Sequence, residues 1–293
     1  MGCGVSKSEY SDLKAQNDLL KNQVTDLKSR LNEISYLEDH SQVVLPNTEL
    51  LDIESSFNGQ PYQIKVQLPR NYYQTKEKLP VLYVTDAETN FGGVGYIVQR
   101  LIKDKLIPPM IVVGIAYGTD YKTFYELRSR DLTPTIDSDL KLGGKTDPTG
   151  GAPEFCNFLA EELFPLIEEN YRVDGDDRTL YGHSYGGLFG SYVLLNRSDL
   201  FNNYLILSPS LWFNDTMMLN QVDTFANGFI NTKVYMASGE LEGRIDDLQT
   251  DFSEKLIANG LEGLNLKAEV MENETHRTIF GPGFTDGMRY LFQ

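Results

Sequence analysis

The sequence predicts an α/β domain built on a mostly parallel sheet with helices on both faces, preceded by a separate N-terminal helix. Three observations lead there. From residue 49 onward, short unbroken apolar runs alternate with helical stretches. The first two strand-like segments instead alternate polar and apolar residues around a turn. Residues 1–40 carry a heptad pattern of their own. Strands that are apolar on every residue need cover on both faces, and helices inserted between such strands supply it. At roughly 100 to 200 residues per domain, 293 residues make one large domain, residues 41–293, plus the N-terminal piece, residues 1–40.

In that piece Leu13, Leu20, Leu27 and Ile34 recur every seventh residue, with Asn17, Val24 and Leu31 between them. This is a d/a seam and predicts a coiled coil through residues 13–34, hence a homo-oligomer. Asn17 at an a position fixes register at a cost in stability. The e positions are Lys14, Lys21 and Lys28 and the g positions Gln16, Gln23 and Arg30, so no complementary charges choose between dimer and trimer. A single amphipathic helix lying on the domain is the competing reading.

The leading MGCGVSKS admits three readings. Gly2 and Ser6 fit a myristoylation pattern with Cys3 open to palmitate. Alternatively, with Met1 and Gly2 set aside as non-native, Cys3 before a polar stalk is similar to the lipid-bearing first residue of a mature bacterial lipoprotein. The third reading is an ordinary cytosolic terminus. The expectation is the second: a lipid anchor at Cys3 and a place in the bacterial cell envelope, on the periplasmic side, rather than the cytoplasm.

In the larger part, 50–56 and 62–68 alternate across Asn58-Gly59, which predicts an opening antiparallel hairpin. The runs 81–84, 110–115, 179–181, 204–207 and 234–236 read as buried parallel strands, and 154–170 as a helix between them. In such sheets ligands sit beyond the carboxyl ends of the strands, so the chemistry belongs to the residues just after each one.

Composition narrows the classes. Lys plus Arg number 26 against 42 Asp plus Glu, a formal charge of −16 that repels nucleic-acid phosphates and anionic lipid and excludes nucleic acid as a main partner. No apolar run is long enough to span a bilayer. Two cysteines, Cys3 and Cys156, build neither a disulfide framework nor a cysteine zinc site, and Cys156 reads as a small core residue.

After the strand ending at Tyr181 comes Gly182-His183-Ser184-Tyr185-Gly186-Gly187 and then a helical stretch from Leu188 to Leu195. G-x-S-x-G is expected by chance about 0.1 times in a chain this long. Here a buried strand precedes it and a helix follows, the context of a nucleophile elbow, in which small flanking residues let a tight turn lift Ser184 above the sheet. Ser184 needs a base, and there are three histidines. His40 precedes the first strand and His183 adjoins the serine within the turn, its side chain expected to point away from Oγ. His276, just past the strand-like 266–271, is left, and the chain order Ser, acid, His agrees. The acid then belongs on the loop after the strand 233–237. Glu242, three residues past Gly239, is the choice, with Glu240, Asp246 and Asp247 as alternatives; some of these simply start a helix. The oxyanion hole is expected from the backbone N–H groups of Tyr185 and Glu88. Two glycine motifs are set aside: Gly143-Gly144-Lys145-Thr146 has Asp139 where a phosphate loop needs glycine, and Gly93-Val94-Gly95 lacks a third glycine. His-Glu metal patterns are absent, and no cofactor or metal is expected.

These residues resemble a known family. Leu79-Pro-Val-Leu-Tyr-Val-Thr-Asp86, Arg128-Ser-Arg-Asp-Leu-Thr-Pro134, Tyr181-Gly-His-Ser-Tyr-Gly-Gly-Leu188 and Ser208-Pro-Ser-Leu-Trp-Phe213 are similar to the putative-esterase family of α/β-hydrolases, with its siderophore-trilactone esterases and, more distantly, feruloyl and acetylxylan esterases and esterase D. The resemblance covers about residues 45–293, and its SPSLWF segment points to the siderophore branch. It implies an α/β-hydrolase fold, a Ser184, His276 and Glu242 triad, and a small-molecule ester substrate. The acid is the departure, because the general hydrolase pattern more often has Asp there.

The resemblance also implies that Trp212 lines the substrate cleft, while a core tryptophan fits the sequence equally well. One of Arg128 and Arg130 is expected to greet an anionic substrate, with Arg128 the choice, while Arg130-Asp131 fits a loop-locking ion pair equally well. The charge of −16 argues mildly against a strongly anionic substrate unless these arginines make a local positive patch. The expected function is a serine carboxylic-ester hydrolase working through an acyl-enzyme on siderophore, aryl or acetyl esters. An acyltransferase with the same triad and a catalytically weak siderophore- or glycan-binding envelope protein are the alternatives.

Overall fold

The structure, a computed structural model, describes residues 7–39, 44–142, 145–146, 148–225 and 228–293. Gly2, Cys3 and Ser6 of the anchor motif, His40, and Gly143-Gly144 lie outside the described residues. The chain divides into two units, Met1–Leu45 and Pro46–Gln293.

The first unit holds helix α1, Lys7–Asp39. Leu20, Val24 and Leu27 of the expected seam are 58%, 49% and 63% exposed, so these apolar side chains are not buried within the chain itself. Ion pairs along the helix surface, Arg30 with Asp26 and Lys21 with Asp18, follow the four- and three-residue spacing that brings side chains together. Among the described residues no helix is long and apolar enough to cross a membrane.

The second unit is an eight-stranded sheet: β1 Thr48–Glu54, β2 Pro61–Gln67, β3 Leu79–Val84, β4 Ile111–Ala116, β5 Val173–His183, β6 Asn203–Leu207, β7 Thr232–Gly239 and β8 Leu264–Met271. Their spatial order is β1-β2-β4-β3-β5-β6-β7-β8. β2 runs antiparallel to both β1 and β4, and every other pairing is parallel. The opening hairpin and the parallel remainder therefore match the sequence expectation.

Successive residues of a strand face opposite sides, and the two cores divide accordingly. Val81, Tyr83, Ile111, Val113, Tyr204 and Ile206 pack on one face. Leu82, Val84, Val112, Tyr181 and Leu205 pack on the other. That second face is covered by α2 (Ala87–Lys103) and α9 (Phe280–Leu291). The first is covered by α3 (Tyr121–Asp131), α4 (Ala152–Phe158), α5 (Phe164–Asn170), α6 (Tyr185–Asn196), α7 (Phe213–Thr224) and α8 (Arg244–Ala258). Cys156 lies within this core, 1% exposed, and burial pushes its thiol up to about 12, so it is an inert small side chain.

Two elements differ from their expected form. The helix expected over 154–170 is α4, a five-residue π turn at Leu159–Leu163, and α5. Pro165 has no N–H and its ring crowds the carbonyl four residues earlier, so the widened turn is where the helix absorbs it. β5 starts six residues earlier than the apolar run at 179, pairing Val173 with Leu79 before the register slips to Arg178 with Val81. The polar Asp174-Gly175-Asp176-Asp177 stretch fills the slip, which hides this part of the strand from an apolar-run reading.

Candidate active site

All the chemistry-bearing positions gather at the carboxyl ends of β3, β5, β6, β7 and β8. At the end of β5 the turn is as tight as two strands and a helix permit. A Cβ on Gly182 would lie 2.0 Å from the Gly186 carbonyl oxygen, and one on Gly186 would lie 2.3 Å from Thr85 Oγ1. Ser184 sits between them at φ 61 and ψ −117, a strained backbone for a residue with a side chain. Its N–H donates to the Leu207 carbonyl at 3.1 Å, which fastens the elbow to the end of β6.

Glu242 is brought to this point by the turn after β7. Gly239 has no room for a side chain, since a Cβ there would meet the Glu274 carbonyl at 2.3 Å; the loops after β7 and β8 press together at that spot. A short 3-10 turn, Glu240–Glu242, then aims the Glu242 carboxylate inward, where the side chain is 1% exposed. Its Oε2 lies 2.6 Å from His276 Nδ1. Its Oε1 accepts from Ser208 Oγ at 2.6 Å and from the Gly239 N–H at 2.6 Å. Burial pushes the carboxyl pKa up, but the hydrogen bonds from His276, Ser208 and Gly239 outweigh it and hold the group below its ordinary value. An ionised carboxylate only accepts, so His276 carries its proton on Nδ1 and presents Nε2 as an acceptor.

Ser184 Oγ has Ser210 Oγ as its polar neighbour, 3.5 Å away, and forms no hydrogen bond to His276 in this geometry. Bonds of this kind often close only when substrate fills an empty site. The alternative acids are placed elsewhere. Glu240 accepts from the Asn273 N–H at 3.0 Å and so ties down the loop that carries His276. Asp246 and Asp247 stand in the first turn of α8, where carboxylates complement the helix dipole.

His183 does more than flank the serine. It is half-buried, its ring lies 4.5 Å from that of His276, and its Nε2 is shielded from solvent with no hydrogen-bond partner. Burial, reinforced by the neighbouring His276, pushes its pKa down to about 4, so it stays neutral at ordinary pH. Adjacency in sequence hides this, because a residue next to the candidate nucleophile is expected to face away from it.

Arg128 has a protein partner that its expected role did not include. Its Nε and Nη2 grip the two carboxylate oxygens of Asp86 at 2.7 and 2.8 Å, with the two side chains only 10% and 6% exposed. Its guanidinium also lies 5.1 Å from the ring centre of Tyr185. The arginine expected to meet an anionic substrate thus also forms a buried ion pair near Tyr185, and its partner Asp86, at φ 54 just past β3, carries no signal in the sequence. Arg130 and Asp131 form the expected ion pair at 2.6 Å, and Tyr62 OH donates to the same carboxylate at 2.6 Å.

The two expected oxyanion amides fall at helix starts, Tyr185 opening α6 and Glu88 in the first turn of α2. The Glu88 carboxylate accepts from the Tyr117 N–H and, at 3.3 Å, from the Gly118 N–H, and burial pushes its pKa up. Trp212 is half-buried, with its ring 6.0 Å from that of Tyr185, which places it beside the elbow and partly in the core at once. Among the described residues no group of three or more His, Cys, Asp or Glu side chains is arranged to hold a metal.

Comparison with known proteins agrees with this architecture. Residues 55–273 match the protein family described as "Putative esterase". The ferri-bacillibactin esterase BesA of Bacillus subtilis is 32% identical over 252 residues, covering 80% of this chain and 86% of that protein. The crystal structure of the BES protein from Bacillus cereus superposes with a TM-score of 0.77 at 30% identity, covering 87% of this chain and 99% of the other. An IroE-like serine hydrolase from Shewanella oneidensis gives a TM-score of 0.74 at 31% identity, with 84% and 80% covered. With its family match spanning most of the chain and a relative of this identity aligned along most of its length, the protein belongs to the esterase family of α/β-hydrolases and is a carboxylic-ester hydrolase.

Proposed function

We propose that the protein hydrolyses siderophore-type esters with Ser184 as nucleophile, His276 as general base and Glu242 as the acid that orients it. The observation that carries this reading is the 2.6 Å contact between Glu242 and His276 Nδ1 beside the serine of a strained elbow. Ser184 Oγ attacks the ester carbonyl while His276 Nε2 takes its proton. The tetrahedral oxyanion is met by the amides of Tyr185 and Glu88, and its collapse expels the alcohol with the proton returned by His276. Water, deprotonated by the same imidazole, then releases the acid from the acyl-enzyme. Trp212 stands as an aromatic wall of the cleft, suited to an aryl acyl group. The substrate class rests on the name of the Bacillus subtilis relative, an esterase of ferri-bacillibactin.

A hydrolysis panel of p-nitrophenyl esters, feruloyl and acetyl sugars and catecholate trilactones tests it. The expected result is a burst of p-nitrophenol from short esters and the highest kcat/KM on a trilactone. Ester products formed from an added alcohol in preference to acid would make the enzyme a transferase, and no turnover at all would leave a binding protein.

We further propose that α1 joins copies of the chain through the seam from Leu13 to Ile34, and that Cys3 carries a lipid anchoring the protein in the bacterial envelope. The exposed Leu20, Val24 and Leu27 support the first part. Each fully buried Leu or Ile offers about 1.5 to 3 kcal/mol, so several layers must form together to outweigh the cost of association. The expected outcome by light scattering is a dimer or trimer for the full chain and an active monomer for residues 41–293. An oligomer that survives the truncation would move the interface onto the hydrolase unit.

A further inference from the structure

The segment between β6 and α7 touches both ends of the site, and no catalytic role attaches to it so far. Leu207 accepts from the Ser184 N–H at 3.1 Å, the Ser210 N–H donates to the Ser184 carbonyl at 3.1 Å, and the Ser208 N–H donates to the Ala237 carbonyl at 2.8 Å. Within four consecutive residues, Leu207 and Ser210 thus bind the nucleophile's backbone on one side and Ser208 binds strand β7, which leads to Glu242, on the other. Within them Ser208 is fully buried and holds φ 43, a left-handed backbone that costs energy in any residue but glycine. Its hydroxyl is only 2.6 Å from Glu242 Oε1.

A glycine would relieve that backbone, so the side chain is what the position retains. Serine and the Gly239 N–H saturate one carboxylate oxygen, and the other is left to His276 alone. We infer that Ser208 is a positioning residue for the ester hydrolysis, its hydroxyl donating to Glu242 Oε1 so that Oε2 is fixed on His276 Nδ1. A carboxylate held only by the Gly239 amide could rotate about its terminal bond and take the imidazole out of line. With the hydroxyl in place, the carboxylate plane is set from two directions and the imidazolium formed during attack finds its partner already in position.

This inference rests on Glu242 being the acid of the proposed reaction, and the experiment separates the two. Ser208→Gly removes the hydroxyl while relieving the backbone. It is expected to lower kcat about tenfold to a hundredfold, the worth of a hydrogen bond to a charged group. KM should stay within about twofold, since the interaction lost acts on the base rather than on the bound ester, and the melting temperature should fall only modestly, because relief of the left-handed backbone offsets part of the lost hydrogen bond. Because Ser208 acts through the carboxylate, repeating the substitution in a Glu242→Gln background should cost less than about twofold in kcat. Full activity in Ser208→Gly beside a crippled Glu242→Gln would overturn this inference and leave the triad standing. An equal loss in both backgrounds would overturn it in favour of a merely structural serine. Full activity in Glu242→Gln would remove the acid and the inference together.

Discussion

Ser184→Ala and His276→Ala are each expected to remove nearly all ester turnover, on the order of 10⁴- to 10⁶-fold in kcat, while the protein still folds. The expectation follows from placement. Ser184 is held at φ 61 on the elbow, and the only imidazole near it with a free acceptor nitrogen and a carboxylate partner is that of His276. His183 is a poor substitute, because a pKa pushed down to about 4 makes its ring a weak base and the Glu242 carboxylate is bound to His276 instead. Members of a triad act as one unit, so the double variant should be little worse than either single one. Initial rates on a p-nitrophenyl ester and melting curves on all three proteins check this. Alanine keeps the same backbone as serine at position 184, so the melting temperature of that variant should move little. Substantial turnover by Ser184→Ala would sink the elbow assignment, and an active His276→Ala would leave the base unidentified.

Most of the frame was legible in the sequence because it rests on local rules. A buried strand has no polar face, an elbow needs Gly182 and Gly186, and Asn58-Gly59 turns a hairpin; each signal is carried by residues close together along the chain. That Glu242 and His276 meet is legible for a different reason, since the order of strands in the chain dictates which loops can converge. What stayed hidden depends on partners far apart. Nothing near Arg128 in the sequence names its partner: the acidic residues of its own helix pair with Lys122 and Arg130, and Asp86 stands 42 residues earlier, past another strand end. Ser208 belonged to a segment noticed only as a resemblance, and its contact with Glu242 spans 34 residues. The π turn around Leu159 and the early start of β5 were missed through proline and charge that local periodicity reads as interruption.

The acid carries the second large effect. Glu242→Gln is expected to lower kcat by about 10³- to 10⁴-fold with little change in KM, because the amide can no longer stabilise the imidazolium that exists only during reaction. Glu240→Gln should remain close to wild type, since that side chain holds the backbone of Asn273 and not the imidazole. The same carboxylate leaves a signature in stability against pH. Hydrogen bonds from His276, Ser208 and Gly239 hold the Glu242 pKa below its unfolded value of about 4.3 despite burial. A depressed carboxyl stabilises the fold at any pH above that unfolded value and loses the contribution as pH falls through the folded one. Melting temperatures of the wild type and Glu242→Gln should therefore differ most near neutral pH and draw together below about pH 4. Protonation of His183 destabilises the fold as pH falls from the ordinary histidine value of about 6.5 toward its folded pKa of about 4, a window that lies mostly above that of the carboxylate. If Glu240→Gln proves crippled and Glu242→Gln active, the assignment of the acid moves two residues back along the turn; if neither variant slows turnover, the enzyme works with Ser184 and His276 alone.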